Sequence, residues 1–243
     1  MIDAHCHIDL YPNPEEILSY CNSKDITVIA MTNLPSHFEM GFQHIREYKR
    51  IRMALGMHPL YASEHEREYQ KFIDNFDKTS YIGEIGLDYS NEGYHTKTIQ
   101  MQSFRKILQL VCDKPKILSI HSRRAEEEVF NELIFHNIKA AIFHWYSGSI
   151  SLIEDIAKAG YFFSINPAMV QSPNGQKIIA KIPAASILTE SDGPFIEYKK
   201  QTVMPGDVII VEEYLAKTHQ KTRQVISEQI RSNFKSIVSL IKV

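Results

Sequence analysis

Eight short apolar runs, each followed by a longer stretch of helical period, constrain this chain more than any other feature of it. They are Met1–His7, Thr27–Met31, Ile51–Gly56, Tyr81–Ile85, Ile117–His121, Ala140–His144, Tyr161–Ile165 and Ile187–Thr189. Strands that alternate with helices are joined by crossovers and therefore lie parallel, and eight such units close most naturally as a (β/α)8 TIM barrel. Two helical stretches show the period directly. In Ser149–Ala159, Ile150, Ile153, Ile156 and Ala157 fall on one face with Glu154, Asp155 and Lys158 opposite. Near the end of the chain Val225, Ile226, Ile230, Phe234, Ile237, Val238 and Ile241 recur every three or four residues. Pro14, followed by Glu15 and Glu16, marks a helix start with acidic groups near its positive end.

A length of 243 residues, with 44% hydrophobic and 23% charged content, suits one such barrel, so a single domain over residues 1–243 is expected. A formal charge of -2 argues against a basic, salt-driven nucleic-acid coat, although a local basic patch is compatible with it. Cys6, Cys21 and Cys112 are odd in number and widely spaced, as in a reduced cytoplasmic protein. No stretch is long and apolar enough to span a bilayer, and no membrane partner is expected.

The residues at the strand ends carry the chemistry. Just past the apolar runs stand His5 and His7, Asn33, His58, Glu84, His121, His144, Asn166, and finally Glu190 with Asp192. In a barrel all these ends open onto one face, where the active sites of this architecture sit. Any one of them alone reads equally well as a polar edge or a capped loop; together they read as a ligand set. His5 and His7 point to the same side of their strand because side chains alternate, and neutral imidazoles are good ligands for zinc-like ions.

Four histidines and two carboxylates exceed the needs of one tetrahedral ion, so a pair of divalent cations bridged by a carboxylate is expected. Glu84 is the natural bridge, because the glycines of Gly83-Glu-Ile-Gly-Leu-Asp-Tyr89 let other groups approach closely. Asp192, in Thr189-Glu-Ser-Asp-Gly-Pro194, is placed to hold one ion and to take the proton of a water. The attacked centre is then a phosphorus or a carbonyl carbon.

These motifs, in this order and nearly end to end, resemble the TatD family of metal-dependent deoxyribonucleases in the amidohydrolase-type barrel superfamily. The likeness rests on Asp3-Ala-His-Cys-His7, Gly56-Met-His-Pro59, Gly83-Glu-Ile-Gly-Leu-Asp-Tyr89, and Gln100 with Phe104 leading into Ile120-His-Ser-Arg123. His144-Trp-Tyr-Ser-Gly-Ser149, Gly160-Tyr-Phe-Phe-Ser-Ile165 and Glu190-Ser-Asp-Gly-Pro-Phe195 complete it. The resemblance implies His5, His7, Glu84 and Asp192 at one metal and Glu84, His121 and His144 at the other; the mix of imidazole and carboxylate donors suits zinc, manganese and, less well, magnesium. The likeness also implies His58 near the substrate, and hydrolysis of DNA from single strands or strand ends. Arg123 matches a family arginine whose planar fork suits a phosphate, whereas Arg124 stands where the family usually has an acid. The pair reads as sitting at a helix start, against the dipole. Trp145 and Tyr146 would stack on a base or pack the rim, with packing expected for one of them.

Two places depart from the family pattern. Leu60 replaces a second loop histidine, and the loop from Pro194 to Asp207 lacks the usual Arg-Asn before its proline. The ligands are intact, so substrate handling is where a difference is expected. Related barrels hydrolyse amides, lactones and aminoacyl esters, which keeps an ester or amide substrate as an alternative; a glutamate bridge rather than a carboxylated lysine favours the phosphoesterase side. Compact relatives in Qat-type anti-phage gene clusters suggest a further alternative, a subunit with protein partners from a defence cluster. Oligomeric state is not legible.

Overall fold

A computed structural model describes residues 1–241; the last two residues of the expected domain lie outside that range. Nine parallel segments make the barrel: β1 (Ile2–Cys6), β2 (Thr27–Ala30), β3 (Ile51–Met53), β4 (Leu55–Met57), β5 (Tyr81–Gly86), β6 (Ile117–His121), β7 (Ala141–His144), β8 (Phe162–Ile165) and β9 (Ile187–Thr189). Two ladders run β1-β2-β3 and β4-β5-β6-β7-β8-β9. The segments β3 and β4 are one strand path interrupted at Ala54, whose amide still donates to Ala30 O at 2.8 Å. The eight expected strands are therefore present, and the chain has the expected α/β fold.

The barrel closes between its last strand and its first. Thr189 Oγ1 donates to Ile2 O at 2.5 Å, the Asp192 amide to His5 O at 3.0 Å, and the His7 amide to Gly193 O at 2.8 Å. Every residue of β1, β4, β7, β8 and β9 is buried, as parallel strands covered by helices must be. The helices start on the expected signals. Pro14 opens Pro14–Ser23 with Glu15 and Glu16 in its first turn, and Ser149 caps Ile150–Lys158.

Local differences have local causes. Ile153 and Ile156 are buried, but Ile150 lies in the first turn and is exposed. In the last helix, Arg223–Ser239, Val225 is likewise exposed, while Asn233 is buried among Ile226, Ile230 and Ile237. Asn233 earns that place by donating to Ala184 O at 2.8 Å and Ile187 O at 2.7 Å, satisfying carbonyls at the entry to β9. After β9 the chain forms a small antiparallel hairpin, Glu197–Tyr198 with Gln201–Thr202, which periodicity over two-residue strands could not indicate.

Gly86 ends β5 at φ 138°, and a Cβ there would come within 1.9 Å of His121 O. The same carbonyl accepts from the Leu87 amide at 3.0 Å, so it has no freedom to withdraw. Gly86→Ala is expected to cost about 3 kcal/mol, from left-handed strain and a backbone clash together. A lowered denaturant midpoint at unchanged slope is the measurement; an unchanged midpoint would contradict the geometry.

Candidate metal centre

Because each parallel strand delivers its last side chains to the same rim, residues far apart in sequence meet within a few ångströms. Glu84 stands at the middle, 2% exposed. Its Oε2 lies 3.2 Å from His7 Nε2 and 3.5 Å from His5 Nε2, and those two nitrogens are 3.2 Å apart. Its Oε1 faces the other way, 2.6 Å from His121 Nδ1, 3.1 Å from His144 Nε2 and 3.4 Å from His58 Nε2. Asp192 Oδ1 lies 3.7 Å from His5 Nε2.

The donor spacing suits a metal. Ligands at about 2.0–2.1 Å from a tetrahedral zinc lie about 3.3 Å from one another, and the edges of the His5, His7 and Glu84 triangle are of that size. Three groups of donors lie close enough together to share an ion: His5, His7 and Glu84; His5, His144 and Asp192; His58, Glu84 and His121. His5 and His7 point their Nε2 atoms at each other and at one carboxylate oxygen, a convergence of donors that suits a shared cation.

Hydrogen bonds behind the rings select the atoms that face the centre. Asp88 Oδ2 lies 2.8 Å from His121 Nε2, and so holds a proton there and leaves Nδ1 with its lone pair toward Glu84. Ser119 Oγ lies 2.8 Å from His5 Nδ1 and does the same for His5. Glu190 Oε1 stands 3.4 Å from His144 Nδ1, outside hydrogen-bond geometry but close enough for charge pairing. His58 is wired in the opposite sense. Its Nδ1 accepts from the Leu60 amide at 3.1 Å, so the ring's proton belongs on Nε2, the atom nearest Glu84. A ring with that tautomer is a hydrogen-bond donor rather than a ligand.

Charge is distributed accordingly. Burial alone would raise the Glu84 carboxyl, but His58, His144 and His121 around it hold it well below the usual range. Burial opposes protonation of His144 too, yet Glu84 and Glu190 carry it well above the ordinary histidine value. The His5 ring is stacked on His144 with centroids 3.9 Å apart, and burial together with that neighbour drives His5 well below. Two rings so stacked disfavour a second positive charge, and the shifts in opposite directions place the one charge on His144. Burial pushes the Asp192 carboxyl up to about 7, against the pull of His144.

Asp88, Ser119, Glu190 and Asp3 complete the site, and only Glu190 stands out among the strand-end residues. The signal for two of the others is the strand period: Ser119 lies two residues before His121 and Asp3 two before His5, on the same faces. Asp3 accepts from the amides of His5 and Ser191, at 3.2 and 3.0 Å, and so ties the loop bearing Asp192 to β1. Hydrogen bonds from His121 and Ser90 hold Asp88 at about 2 despite its burial. Asp88→Asn removes the group that fixes the His121 tautomer, and metal affinity is expected to fall about 10- to 100-fold. Competition with a chelating dye measures it; unaltered affinity would mean that His121 is oriented by something else.

The remaining candidates take different positions. Arg123 is exposed and lines the cavity of about 700 Å³ that opens over Glu84. Arg124 turns away at φ 58°, its Nη1 3.4 Å from Asn91 Oδ1. Neither occupies the helix start as expected: the helix begins at Glu126, after Ala125, with three glutamates in its first turn. The turn at Ser122–Ala125 absorbs both arginines, and the conflict with the dipole disappears. Trp145 lines the same cavity and is 38% exposed, whereas Tyr146 is buried and donates to Ser149 O at 2.7 Å.

Comparison with known proteins follows the same outline. A family model described as TatD related DNase matches residues 2–239. The chain is 27% identical to an uncharacterized metal-dependent hydrolase of Methanocaldococcus jannaschii, covering 96% of this chain and 94% of that protein. It is 29% identical to a human protein named deoxyribonuclease TATDN3, covering 89% and 86%. Among solved structures, the TatD homologue YJJV of Escherichia coli superposes with a TM-score of 0.88 at 22% identity, covering 98% of this chain and 97% of that one. A TatD family hydrolase of Entamoeba histolytica gives 0.83 at 16% identity, with 98% and 97% covered. At those identities the structures speak for the barrel fold.

Proposed function

The chain belongs to the TatD related DNase family, and from that premise we propose that it is a metal-dependent hydrolase that cleaves DNA phosphodiester bonds with two divalent cations. The observation that carries the reading is the division of Glu84: one oxygen faces His5 and His7, the other faces His121 and His144. That division suits a carboxylate that would bridge two ions. His5, His7, Glu84 and Asp192 would hold one, and Glu84, His121 and His144 the other.

Bound there, divalent ions supply Lewis-acid polarisation of a phosphoryl oxygen and acidify water. The chain's own groups do the rest. Asp192, buried 3.7 Å from His5, is the carboxylate placed to take up a proton while its neighbours fix its position. The Nε2 proton of His58 faces Glu84 Oε1 at 3.4 Å, and His58 also lines the cavity, where that proton would pass to a phosphate oxygen once Glu84 is engaged by cations. Arg123 lines the same cavity and would offer its guanidinium as a bidentate partner for a phosphate. The mix of imidazole and carboxylate donors suits zinc or manganese and, less well, magnesium.

The test is a screen of metal against substrate. Protein loaded with magnesium, manganese or zinc is expected to release products from end-labelled single-stranded DNA. If all three loaded forms leave DNA intact while hydrolysing an activated ester or amide, the phosphodiester reading is lost.

A further inference from the structure

Of the aromatic side chains exposed among the described residues, Tyr61, Tyr94, Phe135, Trp145 and Phe195, three line the cavity over Glu84. Tyr61 follows β4, Trp145 follows β7 and Phe195 follows β9, so each comes from a different loop of the rim. They are 39%, 38% and 59% exposed, a large apolar area to leave in water at the entrance to a polar site. Each is tied to the centre. Phe195 packs edge-on against His7 with ring centroids 5.0 Å apart, and Tyr61 edge-on against His58 at 6.0 Å. The Trp145 amide donates to Glu190 Oε1 at 3.1 Å, with the residue held at φ 37°, a region a bulky side chain rarely occupies. That backbone turns the indole into the cavity instead of the barrel wall.

Charge on the cavity is concentrated at its floor, and Arg123 is the one lysine or arginine lining it among the described residues. Resting on the nuclease reading above, we infer that Tyr61, Trp145 and Phe195 form a stacking collar that grips the bases of a single-stranded end, with one phosphate contact from Arg123. Paired bases in a duplex are already stacked on each other and cannot offer their faces, so the collar takes unpaired ends and tolerates any base sequence.

The chain's single tryptophan is Trp145, so its fluorescence reports the collar without labelling. Metal-loaded protein is titrated with a phosphorothioate single-stranded hexanucleotide, and the affinity is compared at about 50 and 200 mM salt. Saturable quenching is expected, with only about a three- to sevenfold loss of affinity, since one phosphate at Arg123 and one at the metal centre give a slope between about -0.7 and -1.4 in log–log form. Trp145→Leu and Phe195→Ala should each raise KM for single-stranded DNA about 5- to 150-fold, and Trp145→Phe should restore most of it.

Two outcomes overturn the collar and leave the nuclease reading standing: cleavage with unaltered Trp145 emission and unchanged KM in both variants, or a salt slope of several phosphates. Quenching without cleavage under any metal would do the reverse.

Discussion

Glu84→Gln is expected to fold, to lose at least one bound ion, and to hydrolyse DNA at about a thousandth of the parent rate or less. The substitution keeps the shape of a side chain packed inside β5 but removes the charge toward which His7, His58, His121 and His144 all point. A neutral amide offers one oxygen where two are used, and its NH2 would face one set of imidazole nitrogens. Metal content by mass spectrometry and cleavage of labelled DNA are read on the same preparation. Full metal occupancy with normal turnover would remove Glu84 from the centre altogether.

Metal affinity is expected to weaken steeply as the pH falls below 7. In the metal-free protein the Asp192 carboxyl sits at about 7 because burial favours its neutral form, and His144 is carried well above the ordinary histidine value, chiefly by Glu84 and Glu190 against the effect of burial. A cation requires the ionised carboxylate and the neutral imidazole, so its binding expels protons from both. Below pH 7 each proton to be displaced lowers apparent affinity by about tenfold per pH unit. Above that range the Asp192 proton is already gone, and its share of the dependence flattens. Calorimetry in two buffers of different ionisation enthalpy counts the released protons directly. One to two are expected near neutrality, and none would mean that Asp192 and His144 take no part in holding the ion.

Much of this was legible in the sequence because parallel barrel strands are short and simple. A strand with both faces buried reads as an apolar run, and where the run stops the side chain must face the rim; hence His121 and His144 stood out before any coordinates. What stayed hidden depended on distances between strands. Ser119 looks like any small residue inside an apolar run, and only the closing of the barrel, which sets β6 across the interior from β1, makes it the hydroxyl behind His5. Asp88 lay in plain view within its glycine-rich motif, yet its role follows from a single 2.8 Å contact. His58 shows the converse: composition groups it with the ligands, and one amide from Leu60 puts its proton on the wrong nitrogen for that role. The arginines failed to sit at a helix start because a left-handed residue, Arg124, inserts a turn that no periodicity reveals.

The barrel shuts by joining β9 to β1, through bonds between residues 187 and 188 positions apart. Those same bonds carry Asp192 to His5. Closure of the fold and completion of the donor set are thus one event, and contacts of such long range form late on a growing chain. A ribosome-bound fragment ending before β9 would hold His5, His7, Glu84, His121 and His144 and still lack the group that takes the proton. For an enzyme of the proposed kind, the nascent polypeptide is expected to stay inactive until β9 and the Asp192 loop have joined β1.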